Sequence, residues 1–123
     1  MEKESRLLRI GVLGCGPIAQ FAHLEACRRA RNSELYALCD LATELLERMA
    51  AVHQPRMTYR RFEDMLADPQ VEAVYIATPH PMHAEWIVRC AEAGKHILCE
   101  KPVTLNAWEA MAALEHVRRH DVF

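Results

Sequence analysis

No apolar run in these 123 residues is long enough to cross a bilayer; the longest, such as Ala73 to Ala77, have the length of a strand. A strong charge of one sign is also missing. The formal net charge of -2 gives no electrostatic reason to expect nucleic acid or an anionic membrane as a partner. The opening Met-Glu-Lys-Glu-Ser-Arg lacks the basic-then-apolar order of a secretion signal, so the cytoplasm is the expected compartment. The five cysteines, Cys15, Cys27, Cys39, Cys90 and Cys99, are odd in number and contain no Cys-x-x-Cys pair, which fits reduced thiols. No metal is expected either, because a zinc site would need these cysteines and the seven histidines to cluster, and they are scattered. Repeats, low-complexity tracts and Gly/Ser-rich linkers are all absent.

What is present is a globular composition, 51% hydrophobic and 26% charged. A chain of this length buries roughly two thirds of its unfolded surface in a single core. Strand and helix patterns alternate along it, and that order implies a parallel sheet with helices on its faces, an α/β doubly wound fold. After a first strand ending at Leu13, small residues at Ala19, Ala22, Ala26 and Ala30 form a stripe at helical spacing for close packing on the sheet. A second strand, Leu35 to Cys39, precedes a helix from about residue 42 with Leu45, Leu46, Met49 and Val52 on one face. That helix fades at Gln54-Pro55, since the residue before proline is pushed out of helical geometry. Met57 to Tyr59 reads as a short strand, and Phe62 to Leu66 as a short helix closed by Asp68-Pro69. The nearly continuous apolar run Val71 to Ala77 suits a buried parallel strand. A helix follows from about Pro81 to Ala93, with Trp86, Ile87, Cys90 and Ala91 inward, and Gly94 stops it. His96 to Cys99 is the fifth strand. Asn106 with Glu109 resembles a capping box opening a last helix, on which Ala110, Leu114 and Val117 point inward.

The densest chemical signal is the passage from the first strand into its helix, Gly14-Cys-Gly-Pro-Ile-Ala19. A diphosphate can be held by main-chain N–H groups only where no side chain intervenes, so small residues are needed here. Gly14 permits the tight turn, Gly16 lets the diphosphate approach, and Ala19 lets the helix lie close on the strand. Pro17 fits the first helical turn, where its missing donor costs nothing. Cys15 is either a reactive thiol at a helix N-terminus or a small filler beside the ligand. Asp40 ends the second strand about twenty residues on, where a carboxylate can accept both ribose hydroxyls of an adenosine; the other reading is a cap on the following helix. A carboxylate there repels a 2′-phosphate, which favours NAD over NADP.

Ligands of open parallel sheets sit beyond the carboxyl ends of the strands, so Thr78-Pro-His-Pro-Met-His83 and Glu100-Lys-Pro102 are the next candidates. The first is a stiff polar turn, in which His83 is either a site residue or an ordinary first-turn helix residue. In the second, Lys101 can offer a positioned N–H donor to an oxygen that gains negative charge, with Glu100 accepting from a ribose hydroxyl and holding the ammonium in place. The bland alternative is an exposed turn with a surface ion pair.

With these residues collected, the chain resembles the nucleotide-binding half of the glucose-fructose oxidoreductase / inositol dehydrogenase / MocA family. The likeness rests on Gly14 to Ala19, Asp40, Ala77-Thr-Pro-His-Pro-Met-His83, Ala93-Gly-Lys-His-Ile-Leu-Cys-Glu-Lys-Pro102 and Leu105-Asn106, and covers nearly the whole chain. His80 departs from it, since the family more often has asparagine after Thr-Pro. The resemblance implies a Rossmann-type NAD(P)-binding domain over 1–123, with the C-terminal substrate domain absent. It places Gly14, Gly16, Pro17 and Ile18 at the diphosphate, Asp40 at the adenosine ribose, and Thr78, Pro79 and His83 along the cofactor. Glu100 falls near the nicotinamide ribose and Lys101 at the substrate. The implied activity is hydride transfer between nicotinamide and a hydroxyl or carbonyl of a small sugar, polyol or cyclic diol, catalysed by the longer parent enzyme. The alternative is a non-catalytic NAD(P)-sensing module of the same fold. A fragment of this kind is expected to leave strand five as an open edge and to self-associate into a homo-oligomer.

Overall fold

Short β-rich runs separated by helical ones have the crossover connections that parallel pairing needs. The computed structural model, which describes residues 6–123, shows that arrangement. Strands β1 (Leu8–Leu13), β2 (Ser33–Cys39), β3 (Met57–Tyr59), β4 (Ala73–Ile76) and β5 (His96–Cys99) form one sheet in the order β3-β2-β1-β4-β5. Every pairing is parallel. A π-helical turn, Ala19–His23, runs into α1 (Leu24–Arg29); α2 (Thr43–His53), α3 (Phe62–Ala67), α4 (His83–Glu92) and α5 (Ala107–Arg119) complete the order, and a single 3-10 turn, His80–Met82, leads into α4.

Two cores lie on opposite faces of the sheet. Val12, Leu35 and Leu38 meet Ala19, Leu24, Cys27 and Leu46 on the face of α1 and α2. Leu13, Val74 and Ile76 meet Phe62, Met65, Trp86, Ile87, Cys90 and Ala113 on the other. Neighbouring strand residues normally alternate between faces. Tyr36 and Ala37 break this and share one core, because the β1–β2 register runs from Leu35 to Ala37 and leaves Tyr36 as an extra residue. The bulge aims the Tyr36 hydroxyl at Asp68 Oδ2, 2.9 Å away, where the Tyr59 hydroxyl also donates at 2.6 Å. Burial raises the Asp68 carboxyl, but the bonds from Tyr59, the Gln70 amide and Tyr36 outweigh it and hold it below the ordinary carboxylate value.

Three expected helix faces are corrected by the structure. On the first, Ala19 is buried but Ala26 and Ala30 are exposed, so the alanine stripe does not form. The Leu24 amide donates to the carbonyl of Ala19, five residues back. This π-turn inserts one residue and rotates the helix beyond it by roughly 100°, so that Leu24 and Cys27 face the sheet instead. On α2, Leu46 is buried but Val52 is 60% exposed. Seven residues are two turns, so His53 rather than Val52 continues the row of Leu46. On α5, Ala113 is the buried residue and Leu114 is 48% exposed, because the helix packs chiefly on α4 and a small side chain lets the two approach.

Other local signals act as the sequence suggests. Pro17 lies in the first helical turn, Gly94 ends α4 with φ +73°, and Trp86, Ile87, Cys90 and Ala91 are buried. Asn106 Oδ1 accepts from the Glu109 amide at 3.0 Å, while Glu109 Oε2 reaches the amide of Leu105 rather than that of Asn106. Strand β5 is an edge, though the Ile97 amide donates to the Phe123 carbonyl at 2.8 Å. Among the described residues, no helix is long and apolar enough to cross a membrane.

Lys95, at the entry to β5, is 7% exposed and donates its ammonium to the carbonyls of Asp68 and Val71 at 2.7 and 2.8 Å. It ties the start of β5 to the turn between α3 and β4. Lys95→Met, which keeps the stem and deletes the donor, removes the partner of the Val71 carbonyl and leaves that of Asp68 with the Val71 amide alone, and should cost about 1–3 kcal/mol. Urea unfolding checks this; an unchanged midpoint would show that water replaces the ammonium.

Candidate functional site

Strand order reverses between β1 and β4, so their connections leave toward opposite faces and a crevice opens beyond their carboxyl ends. A cleft of about 430 Å3 lies there. Gly14, Gly16, Pro17, Ile18, Asp40, Thr78 and Pro79, all candidates from sequence, line it together. Apolar walls from Leu41, Phe62 and Met82, with His80 at the rim, complete it. Sequence reasoning missed Leu41 and Phe62, which bring only apolar surface and carry no motif of their own; Met82 belongs to the candidate turn but had no role assigned to it.

The two glycines have different physical reasons. Gly14 has φ +95°, and a Cβ on it would lie 2.7 Å from the carbonyl oxygen of Ala77. The ends of β1 and β4 are therefore in main-chain contact there, and no side chain fits between them. A Cβ on Gly16 would meet nothing within 4 Å. The chain itself does not require glycine at that position; the space belongs to the cleft. The first intrahelical bond runs from the Gln20 amide to the Gly16 carbonyl at 3.1 Å, so the amides of Gly16, Ile18 and Ala19 have no acceptor within the helix. A group with several anionic oxygens is what such donors fit. Thr78 Oγ1, buried in the facing wall, also has no partner among the described residues.

Asp40 is fixed from two directions. Oδ2 accepts from the Cys15 amide and Oδ1 from the Ala42 amide, both at 2.8 Å. The carboxylate thus bridges the glycine turn to the start of α2 and keeps further lone pairs for hydroxyl donors. Cys15 is fully buried, and burial, with Asp40 beside it, pushes its thiol up to about 12. Of the two readings of Cys15, the structure supports the inert filler.

The candidates beyond β4 and β5 behave differently from expectation. Glu100 does not hold the Lys101 ammonium: its Oε2 lies 2.8 Å from His23 Nε2 and 3.3 Å from the Tyr75 hydroxyl. His23, delivered by the π-turn, also stacks on Tyr75 with ring centroids 3.7 Å apart. The His23 contact lowers the Glu100 carboxyl below its ordinary value against the effect of burial, with help from the Lys101 amide and Tyr75. Lys101 is exposed, with no ion pair among the described residues. His83, expected along the cofactor, is fully buried behind the cleft wall, with ring nitrogens on the carbonyls of Pro102 and Thr78. It therefore offers no surface to a ligand in the cleft. His23 was not identified as a site residue, because only its distance from Glu100 in space reveals it.

Two outcomes follow from this geometry. Gly14→Ala should destabilise the chain by about 1–3 kcal/mol through the positive φ and the Ala77 contact, whereas Gly16→Ala should not lower the melting temperature; equal losses would refute the distinction. The lowered Glu100 carboxyl contributes stability that is complete above the ordinary glutamate value and is lost as pH falls through the folded value. The stability gap between wild type and Glu100→Gln should accordingly narrow on acidification, as read by melts across the acid range; a constant gap would mean that the contact does not depend on charge.

Comparison with known proteins gives the same picture. The oxidoreductase family with an NAD-binding Rossmann fold matches residues 8–123. Myo-inositol 2-dehydrogenase of Thermotoga maritima is 32% identical over 115 residues, covering 94% of this chain and 34% of that protein. The crystal structure of KijD10, a 3-ketoreductase from Actinomadura kijaniata in complex with NADP and TDP-benzene, superposes with a TM-score of 0.91 at 30% identity, over 95% of this chain and 36% of that one. The WlbA dehydrogenase of Bordetella pertussis, in complex with NADH and UDP-GlcNAcA, superposes at 0.88 and 29%, over 95% and 35%. The chain spans about a third of the length of the curated relatives it matches. With its glycine turn, its strand order and a match over almost every described residue, this chain belongs to the glucose-fructose oxidoreductase / inositol dehydrogenase / MocA family and forms its NAD(P)-binding Rossmann domain.

Proposed function

We propose that this chain is the nucleotide-binding half of a two-domain oxidoreductase acting on a hydroxyl or carbonyl of a small sugar, polyol or cyclic diol. The observation that carries the reading is Gly16, whose missing side chain leaves room that none of the described residues fills, beside amides with no acceptor in the helix. The amides of Gly16, Ile18 and Ala19 bind the diphosphate. Asp40, pinned by Cys15 and Ala42, takes the adenosine ribose hydroxyls, and its charge disfavours a 2′-phosphate, so NAD is preferred to NADP. Leu41 and Met82 give apolar surface to the adenine, Thr78 and Pro79 line the path onward, and Glu100 faces the second ribose. When bound, the nicotinamide ring supplies or accepts a hydride at C4. Lys101 Nζ holds a proton at the substrate oxygen and stabilises the charge that develops there. The exposed, unpaired ammonium favours this role over a non-catalytic sensing module, which has no use for a free cation at that place.

The same reading includes a cytoplasmic location, supported by five free thiols. It includes self-association too, supported by Trp108 and Met111, which are 81% and 65% exposed on α5.

Titration of the 123-residue chain with NAD and NADP, followed by thermal shift, tests the proposal. NAD should stabilise it more than NADP does, Gly16→Val should abolish the shift while the unliganded chain stays folded, and Lys101→Ala should retain it. The chain by itself should show no measurable turnover. A shift that survives Gly16→Val would overturn the assignment of the diphosphate site.

A further inference from the structure

The turn that carries Lys101 is held to the rest of the protein by an unusual device. Lys101, Pro102 and Val103 are all exposed and outside regular structure. Among the described residues, the side-chain hydrogen bond that ties this turn to the β4–α4 loop comes from His83. The His83 ring has no exposed surface. Its Nδ1 lies 2.7 Å from the Pro102 carbonyl oxygen and its Nε2 2.9 Å from the Thr78 carbonyl oxygen. Carbonyls only accept, so each contact needs a ring N–H; a neutral imidazole supplies one and an imidazolium two. Either way the ring sits between two acceptors on two different loops. One loop forms the wall of the cleft at Thr78, and the other presents Lys101.

We propose that His83 is a positioning residue: it staples the Lys101–Val103 turn to the Thr78 wall and thereby fixes the backbone that carries Lys101 relative to the cofactor cleft. The role of Lys101 is taken from the proposed function, but the staple is a statement about this chain alone. A side chain buried for packing only would be replaced by any apolar group of its size. The tie to the turn needs a ring N–H directed from Nδ1 at the Pro102 carbonyl, a donor that phenylalanine lacks and glutamine supplies without the rigid ring. The neighbouring His80 ring lies edge-on, 5.6 Å from that of His83, and is exposed at the cleft rim. It makes neither carbonyl contact and does not substitute for the staple.

Backbone 15N relaxation of the 123-residue chain, with and without NAD, tests this. In the wild type, the amides of Lys101 and Val103 should be as ordered as those of β5. In His83→Phe they should drop to the flexible range, with order parameters below about 0.6, while β5 and α4 stay near 0.85. His83→Gln, which keeps one donor, should give an intermediate loss and provides the readout if His83→Phe does not fold. Unchanged order at Lys101 and Val103 in a folded variant would overturn the staple. The NAD arm is read separately at the amides of Gly16 and Ile18. If these do not respond in the wild type, the proposed cofactor site fails whatever the His83 variants show; if they respond equally in wild type and His83→Phe while Lys101 loosens only in the variant, both stand.

Discussion

The contact between the ends of β1 and β4 at Gly14 is the constraint on which the site depends. Two central parallel strands approach there so closely that a single Cβ would collide with the Ala77 carbonyl. Because the main chains touch, the glycine turn and the Thr78–Pro79 wall become two sides of one cleft rather than two unrelated loops. The Asp40 carboxylate then fastens the third strand end to the same point through the Cys15 amide. Three strand termini are joined by one main-chain contact and one carboxylate, which leaves the remaining side chains free to shape the cavity.

Electrostatics divide the two halves of the crevice. At the β1–β2 end, a carboxylate is held by amides, and the amides of Gly16, Ile18 and Ala19 have no acceptor within the helix. At the β4–β5 end, Glu100 is engaged by His23 and Tyr75, and Lys101 keeps its charge free. The π-turn matters here: by shifting the helix one residue, it presents His23 to Glu100 while Ala19 stays packed on the strand. The same irregularity that spoils the alanine stripe thus links the helix after the glycine turn to Glu100, beside Lys101 at the end of β5.

Much of this was legible from local chemistry. Pro17 and Gly94 act through their own backbone preferences, Gly14 in part through its positive φ, and Asn106 through a side-chain cap on its own helix, all of which are local. The strand positions followed from apolar runs for the same reason. What was not legible depended on partners far away in the chain. Ala26 and Ala30 were placed by a regular helical period that the π-turn interrupts. Val52 and Leu114 are apolar residues on the flank of a face whose centre is set by packing, at His53 and Ala113. The hydrogen bonds of His83 and Glu100 go to Pro102, Thr78, His23 and Tyr75, and no local pattern names those partners. Family resemblance could place these residues near the site; only the folded chain shows which of them face the cleft.

The most direct test of the account is a crystal structure of the chain grown with NAD. The diphosphate oxygens should lie within hydrogen-bond reach, about 2.9 Å, of the amides beside Gly16, with a ribose on Asp40 and the nicotinamide toward Lys101. Density for the dinucleotide elsewhere, or a side chain filling the space over Gly16, would contradict it.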